Sequence, residues 1–155
     1  MRLAHLIICL ALLSLTGCAT VETKDYSVFR ENDPHSVLGV SGVNKRVDGD
    51  APEYFLATIS KPIGERGYYV FPVHMVKRLM EDEGLSDANM VHEADPTRLA
   101  GLFDADTVLY IVIERWDAKY IVLSTTVTVE FAYRLVDGET GLELWQSDRT
   151  IQYSP

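Results

Sequence analysis

The chain has 155 residues, of which 47% are hydrophobic and 24% are charged, and its formal net charge at pH 7 is −9. This apolar content favours a packed core over disorder, and the length suits a single domain. An acidic surface repels nucleic-acid phosphates and anionic lipid headgroups, so the composition argues against nucleic-acid binding.

The N-terminus has the layout of a secretory signal peptide. Arg2 precedes an apolar run over residues 6–13, which is too short for a transmembrane helix of about 20 apolar residues. The sequence LTGC follows at residues 15–18, and a small pair before a cysteine resembles the lipobox of bacterial lipoproteins. That resemblance implies cleavage before Cys18, followed by S-diacylglycerol and N-acyl (palmitate) attachment to it. Residues 1–17 are therefore predicted to be a lipoprotein signal peptide.

Lipidation would determine where the mature chain acts, because two or more acyl chains hold a protein stably at a bilayer. Residue 19 is Ala rather than Asp, which by resemblance to Gram-negative lipoproteins implies sorting to the outer membrane. We expect the chain to face the periplasm, with no cofactor besides the covalent lipid on Cys18. Cys9 leaves with the signal peptide, so the mature chain of net charge −10 has no thiol for disulfide, metal or nucleophile chemistry.

The mature chain begins with a tether and continues as one domain. Residues 18–35 are polar and mixed in charge, which is typical of a linker between membrane and domain. A single α/β periplasmic domain is predicted over residues 36–155. It opens with an apolar strand at 36–40, and the glycines and asparagine at 41–50 favour a loop.

Two helices separated by a strand come next. The first helix is predicted to begin at Asp50, because a proline follows in the first turn and apolar residues recur at helical spacing. Pro62 should interrupt this helix. The aromatic and β-branched residues at 68–71 predict a strand. Pro72 begins the second helix, and Gly84 ends it.

The C-terminal half is predicted to be mostly strand. After a loop, a short helix at 95–103 precedes the continuous apolar strand 108–113. Residues 117–119 are expected to form a turn. Apolar and polar residues then alternate over 123–135, which is typical of a strand with one buried and one wet face. A hairpin loop at 137–141 leads into the final strand.

This order of elements, β-α-β-α-α-β-β-β, predicts an α/β (α+β) fold with a mixed five-stranded sheet. We expect the neighbour order 2-1-3-4-5. The last three strands should form an antiparallel meander.

Four segments resemble a family of bacterial lipoproteins of unknown function that includes a neisserial surface lipoprotein. They are APEYF at 51–55, ERGYYVFPV at 65–73, FDADTVLY at 103–110, and the hairpin YRLVD with TGLELW within 133–145. The domain also resembles the α/β domains of Tol-system and curli-secretion periplasmic proteins. The resemblance implies a non-enzymatic, outer-membrane-anchored accessory component of envelope transport or secretion. Relatives continue beyond the final strand, so a truncation at the C-terminal end of this chain stays an open alternative.

The residues offer little for metal binding or catalysis. Zinc needs three or four converging ligands, and the processed chain retains only His35, His74 and His92. A ligand cluster at His92 would need Asp95, which is better explained as a helix cap. The GVSG run at 39–42 lacks the pattern of a serine nucleophile or a phosphate loop. We therefore expect neither a metal nor an enzymatic activity.

Exposed aromatic and polar positions are the candidates for an interaction surface. Two adjacent tyrosines in one strand point to opposite faces, so one of them is available for contact, and the polar face of the alternating strand is open to solvent. The candidate interaction residues are Tyr68, Tyr69, Thr126, Thr128 and Glu130.

Two functions are consistent with the sequence. The favoured one is a non-catalytic interaction module that contacts envelope protein partners through its sheet edge or the loop 41–50, with homo-oligomerisation left open. The alternative is a lipid-anchored carrier or hydrolase for a small envelope ligand. That alternative requires a pocket with converging polar groups.

Overall fold

The computed structural model describes residues 24–45, 51–121 and 124–154. Cys18 and Ala19 lie outside the described residues, as do residues 46–50 of the predicted loop, so lipidation and sorting stay predictions. In the described part of the chain, no helix has the length and apolar composition needed to cross a bilayer.

A six-stranded mixed sheet is the centre of the domain. Its strands are β1 (Ser36–Gly39), β2 (Val43–Asn44), β3 (Tyr69–Val70), β4 (Thr107–Ile121), β5 (Ser124–Asp137) and β6 (Glu143–Tyr153). The main order is β3-β1-β4-β5-β6, and β2 pairs with β4 further along than β1 does. The first three strands run parallel to their neighbours, whereas β4, β5 and β6 form an antiparallel meander.

Five helices are described, and they cover both faces of the sheet. They are α1 (Ser27–Asn32), α2 (Ala51–Gly64), α3 (Val73–Asp82), α4 (Ala88–Glu93) and α5 (Pro96–Gly101). On one side, here called the α3 face, Val76, Met80 and Val91 join Leu38 and Val108 in a buried cluster. The opposite side, here called the α2 face, holds a second cluster in which the sheet packs against α1 and α2. Alternation along β4 creates both clusters, because successive side chains point to opposite faces.

Local signals explain where several helices begin and end. The Asp95 carboxylate accepts a hydrogen bond from the Thr97 N–H at 2.9 Å, and Asp87 does the same for the Asn89 N–H at 2.8 Å. Such caps satisfy backbone donors that a helix leaves unpaired. Gly84 follows α3 with φ of +82°, a conformation that L-residues rarely adopt.

The fold class and the strand order are confirmed. The predicted order 2-1-3-4-5 corresponds to β3-β1-β4-β5-β6. The sheet gains β2 from within the predicted loop 41–50, because two residues there pair with Val112 and Ile113. Helix α4 also lies in a predicted loop, since a six-residue helix is too short to show helical periodicity in sequence.

Two further expectations are corrected. The turn predicted at 117–119 is wrong: these residues continue β4 and pair with residues 126–128 of β5. The last turn after Pro62 is not separate, as one form of the expected interruption would require: α2 continues through the proline and ends two residues later at Gly64. The proline thus falls in the last turn, where it removes only one helical hydrogen bond.

Within the segment interpreted as a tether, residues 27–32 form α1. Its Phe29 packs against the α2-face cluster, with its ring centroid 6.4 Å from that of Tyr68. Lys24 also reaches the domain, because its Nζ donates to the Gln146 carbonyl oxygen at 2.8 Å. The domain thus includes residues before the expected start at 36.

Candidate functional site

The residues predicted as one interaction surface occupy two separate places. Tyr68 is half-buried beside α2, whereas Tyr69 is exposed on the edge strand β3. The three β5 residues lie three strands away from β3 and at the other end of the sheet, since β3 is level with the Asp137 end of β5. The structure therefore does not bring the tyrosines together with Thr126, Thr128 and Glu130.

The three β5 residues belong to an extension of the sheet, here called the distal arm. It comprises Arg115–Ile121 of β4, Ser124–Glu130 of β5 and Thr150–Tyr153 of β6. The arm begins after an irregularity in β4 between residues 113 and 115. Most of it extends past the buried clusters, whose last members along these strands are Ile113 of β4, just before the arm, and Val129 of β5, inside the arm.

One face of the distal arm is polar. Arg115 Nη1 lies 3.3 Å from Glu130 Oε1, and its Nε lies 2.6 Å from Asp117 Oδ2. The Thr126 hydroxyl lies 2.9 Å from that of Ser154. These side chains are partly exposed, and surface ion pairs of this kind stabilise a fold by about 0–1 kcal/mol. The geometry agrees with the wet face that alternation along β5 predicts.

The opposite face of the arm is apolar, and in the described part of the chain most of its large side chains are exposed. Trp116 and Ile151 both lie opposite Val129, and Tyr153 lies opposite Val127; residues directly opposite each other share a face. Their exposed fractions are 39%, 51% and 63%, and that of Tyr120 on the same face is 80%. Large apolar side chains grouped on one exposed face are typical of an interaction site.

An apolar cleft of about 590 Å³ opens on the α2 face, between the two helices of that side and the sheet. Its floor is formed by sheet residues Val37, Leu109 and Leu135. Its walls are formed by residues of α2, α1 and the sheet and by the residues just before α1 and β3, namely Ile59, Pro62, Ile63, Phe29, Tyr133, Trp145, Tyr26 and Tyr68. The cleft is within the size range of small-molecule sites, about 300–1,000 Å³.

The charged residues that line this apolar cleft are both cations, Arg66 and Arg149. Arg66 Nη1 donates to the Pro62 carbonyl oxygen at 2.8 Å, which holds the guanidinium beside the end of α2. Burial raises the pKa of the Tyr133 hydroxyl, and the positive charge of Arg149 partly offsets this. Lys24 lies 5.5 Å from the centroid of the Trp145 ring, so a third cation is near the cleft.

An acidic cleft of about 500 Å³ lies where α5, the start of β4 and the β5–β6 hairpin meet. Its carboxylates are Asp33, Asp104, Asp106, Asp137 and Glu139. Asp106 Oδ2 accepts hydrogen bonds of 2.8 Å from the backbone N–H groups of His35 and Ser36. It thereby joins the start of β1 to the start of β4.

Hydrogen bonds lower the pKa values of two carboxyls in the acidic cleft, those of Asp106 and Asp137. The His35 N–H is the main cause of the lowered pKa of Asp106. For Asp137, burial alone would raise the pKa, but hydrogen bonds from Thr140, Asn32 and Glu139 bring it below its ordinary value. The described residues contain no group of three His, Cys, Asp or Glu arranged to hold a metal ion. Both aspartates thus have structural roles.

His92, the other candidate ligand from the sequence, is packed inside the α3 face. Its Nε2 lies 3.0 Å from the Ser41 carbonyl oxygen, and its ring centroid lies 5.1 Å from that of Tyr110. Burial lowers the pKa of His92, so the neutral ring is favoured. Asp95, its suggested partner, caps α5 as expected.

Neither the apolar face of the distal arm nor the arginines of the apolar cleft were predicted from the sequence. The apolar face of the arm had a signal in the sequence: Trp116 and Tyr120 flank the charged residues Asp117 and Lys119 with the two-residue period of a strand. The cleft had none, because it depends on how α1 sits against α2.

These elements define a small α/β domain with helices on both faces of a mixed sheet. The same fold occurs in PelC from Paraburkholderia phytofirmans, which forms a dodecamer; the TM-score is 0.54 at 19% identity, covering 77% of this chain and 72% of PelC.

The chain belongs to the family described as "Putative lipoprotein GNA1162-like", whose model matches residues 24–154. It is 35% identical over 144 residues to a Neisseria meningitidis serogroup B protein described as "Putative lipoprotein NMB1124/NMB1162", a match that covers 92% of this chain and 67% of the relative. The crystal structure of lipoprotein GNA1162 from Neisseria meningitidis superposes with a TM-score of 0.73 at 34% identity, covering 78% of this chain and 84% of that one. The expected family is confirmed, and membership implies a membrane-anchored location in the cell envelope.

Proposed function

We propose that this protein is a non-catalytic accessory lipoprotein of an envelope transport or secretion assembly, and that its distal arm binds a protein partner. The supporting observation is the apolar face of the arm, where Trp116, Tyr120, Ile151 and Tyr153 are exposed together. Exposed aromatic clusters of this kind are enriched at the centres of protein interfaces.

The partner is expected to add an extended segment to β6. This strand ends the sheet order, so its outer backbone groups are available for β-strand addition in the described sheet. Lys24 already donates to the Gln146 carbonyl oxygen, which leaves residues 148–153 as the free part of the edge. Apolar side chains of the added strand would contact Ile151 and Tyr153. Basic side chains on its other face would suit Asp148 and the net charge of −10 of the mature chain.

The anchor is expected at Cys18, with the signal peptide cleaved before it and the lipid inserted in the periplasmic leaflet of the outer membrane. Membership of a lipoprotein family supports this. Cys18→Ser should abolish metabolic palmitate labelling and release the chain from membranes. Label retained by the variant would contradict the assignment, whereas wild-type protein in the inner membrane would contradict only the sorting by Ala19.

Site-specific photo-crosslinking in cells tests the docking surface. A crosslinking amino acid at Tyr120 or Tyr153 should give the same adduct, because both lie on the apolar face. The same group at Lys119 or Thr126, which pair with each other on the polar face and do not lie on the β6 edge, should give little. An adduct of twice the chain mass would identify the partner as a second copy. Equal crosslinking from all four positions, or none from any, would refute the arm as the docking surface.

The apolar cleft supports a second candidate function, a carrier for a small envelope ligand. The cleft is of suitable size and combines an apolar floor with two arginines in its lining, and a mostly apolar lining with a few polar groups is typical of a ligand pocket. Its described lining contains no carboxylate, histidine, serine or cysteine. Since hydrolysis generally needs an activated nucleophile and a base, this lining favours the carrier over the hydrolase. Saturable binding of an apolar probe to the cleft is the test.

A further inference from the structure

We propose that the apolar cleft binds a single-chain anionic amphiphile, with an acyl chain along the sheet floor and an acidic headgroup at Arg66 and Arg149. This inference rests on the carrier function, for which it supplies the chemical class of the ligand. It is independent of docking by the distal arm, which lies at the other end of the α2 face.

The shape and the lining of the cleft suit an acyl chain. Val37, Leu109 and Leu135 provide a floor of aliphatic side chains, and Ile59 and Ile63 of α2 provide a parallel aliphatic wall. Each methylene that such a groove removes from water strengthens binding by about fourfold. Aromatic rings from the α1 side, those of Tyr26 and Phe29, complete the apolar part of the lining.

The arginines select the charge of the headgroup. This protein carries 23 acidic and 14 basic residues, yet the charged residues that line the cleft are both arginines. The planar guanidinium donates two parallel hydrogen bonds to a carboxylate or a phosphate. The acidic cleft has the opposite character, since it is lined by five carboxylates, and would repel the same ligand.

The charge also distinguishes a free amphiphile from the lipid of the protein itself. A diacylglycerol thioether and an N-acyl amide carry no acidic group, so the anchor expected on Cys18 would gain nothing from Arg66 or Arg149. A free fatty acid has both the chain and the anion. Palmitate is therefore the probe that represents the proposed class.

Energy transfer from Trp145, which lines the cleft, reports occupancy. The experiment uses the mature chain without its lipid and with Trp116→Phe, which leaves Trp145 as the sole tryptophan. Cis-parinaric acid should quench Trp145 saturably, and palmitate should displace it. Hexadecanol, of the same chain length without the charge, should be about tenfold weaker. Dodecanoate, four methylenes shorter, should be more than a hundredfold weaker than palmitate.

Substitutions assign this preference to the two arginines. Arg66→Gln together with Arg149→Gln should remove the advantage of palmitate over hexadecanol and leave hexadecanol binding unchanged. Arg78→Gln, a matched loss of charge on the opposite face, should have no effect. Thermal unfolding of each variant separates lost binding from lost folding.

Two outcomes would overturn the proposal in different ways. If palmitate and hexadecanol compete equally in the wild-type chain, the anionic ligand class is wrong while the carrier function stands. If no probe binds saturably although the chain is folded, both the ligand class and the carrier function are wrong.

Discussion

The sheet has two regions with the same alternating sequence pattern but different surroundings. In the region covered by helices, Phe131 is 4% exposed and stacks on Phe55 with ring centroids 4.1 Å apart. In the distal arm, the apolar residues on the same face have no described helix above them, and Tyr120 is 80% exposed. Alternation therefore determines which face of a strand is apolar, whereas the length of the adjacent helices determines how much of that face is buried.

The largest effect is expected where the covered region ends. Val129 is 8% exposed on the α2 face, and Thr128 is its neighbour on the polar face. Val129→Asp should lower the free energy of unfolding by about 4 kcal/mol, because it buries an unpaired charge. Thr128→Asp should cost about 0.5 kcal/mol or less. Equal losses in chemical denaturation would mean that both faces of β5 are covered.

A loss of about 3–4 kcal/mol is expected for Phe131→Ala, because it removes a buried aromatic ring and leaves a cavity. The matched change in the distal arm, Tyr120→Ala, should alter stability by about 0.5 kcal/mol or less. Urea unfolding of the two variants measures the contrast. A comparable loss for Tyr120→Ala would show that the arm is already covered in solution, for instance by a second copy.

An intermediate effect is expected for the carboxylate at the covered end of β5. Asp137 is 4% exposed and accepts hydrogen bonds from the Thr140 N–H at 2.6 Å and the Thr140 hydroxyl at 2.5 Å. Asp137→Ala should therefore cost about 2 kcal/mol at neutral pH.

The same carboxylate should make stability depend on pH. The folded-state pKa of Asp137 is lowered, so its contribution is fully present above the unfolded pKa of about 3.9 and is lost as the pH falls through the folded value. The difference in unfolding free energy between wild type and Asp137→Ala should shrink below pH 4. A difference that is constant down to pH 2 would contradict this role of the charged form.

The smallest effect is expected for the ion pairs of the distal arm. Arg115 contacts Asp117 and Glu130, but its side chain is 41% exposed. Arg115→Gln should cost about 0.5 kcal/mol or less and should become neutral at high salt. A loss near that of Asp137→Ala would indicate that the polar face is shielded from water.

The sequence predicted the elements whose signals are local and long. The strand order followed from the right-handed crossovers and the meander. The Asp95 cap followed from side-chain chemistry, and the helix end near Gly84 followed from the backbone freedom of glycine. The elements that could not be predicted from the sequence depend on tertiary contacts. Helix α1 has six residues and is held by Phe29 against the α2 face, and β2 consists of two residues paired with β4.

The candidate sites were less predictable than the fold. The wet face of β5 could be predicted from alternation alone, whereas the apolar cleft combines α1, α2 and four strands from distant parts of the chain. The turn expected at 117–119 was wrong because the composition of these three residues outweighed the alternation around them, and this hid the full length of the distal arm.

The hydrogen bond from Lys24 to the Gln146 carbonyl oxygen limits how far the domain can lie from a membrane anchor at Cys18. Lys24 comes six positions after Cys18, and an extended chain spans at most about 3.6 Å per residue, or roughly 20 Å in all. With a lipid on Cys18, the apolar cleft beside Lys24 would stay close to the bilayer surface, because the connecting segment is no longer than that. A ligand leaving the membrane would then search a thin layer rather than the whole periplasmic volume, and its capture rate would depend on lipid surface density.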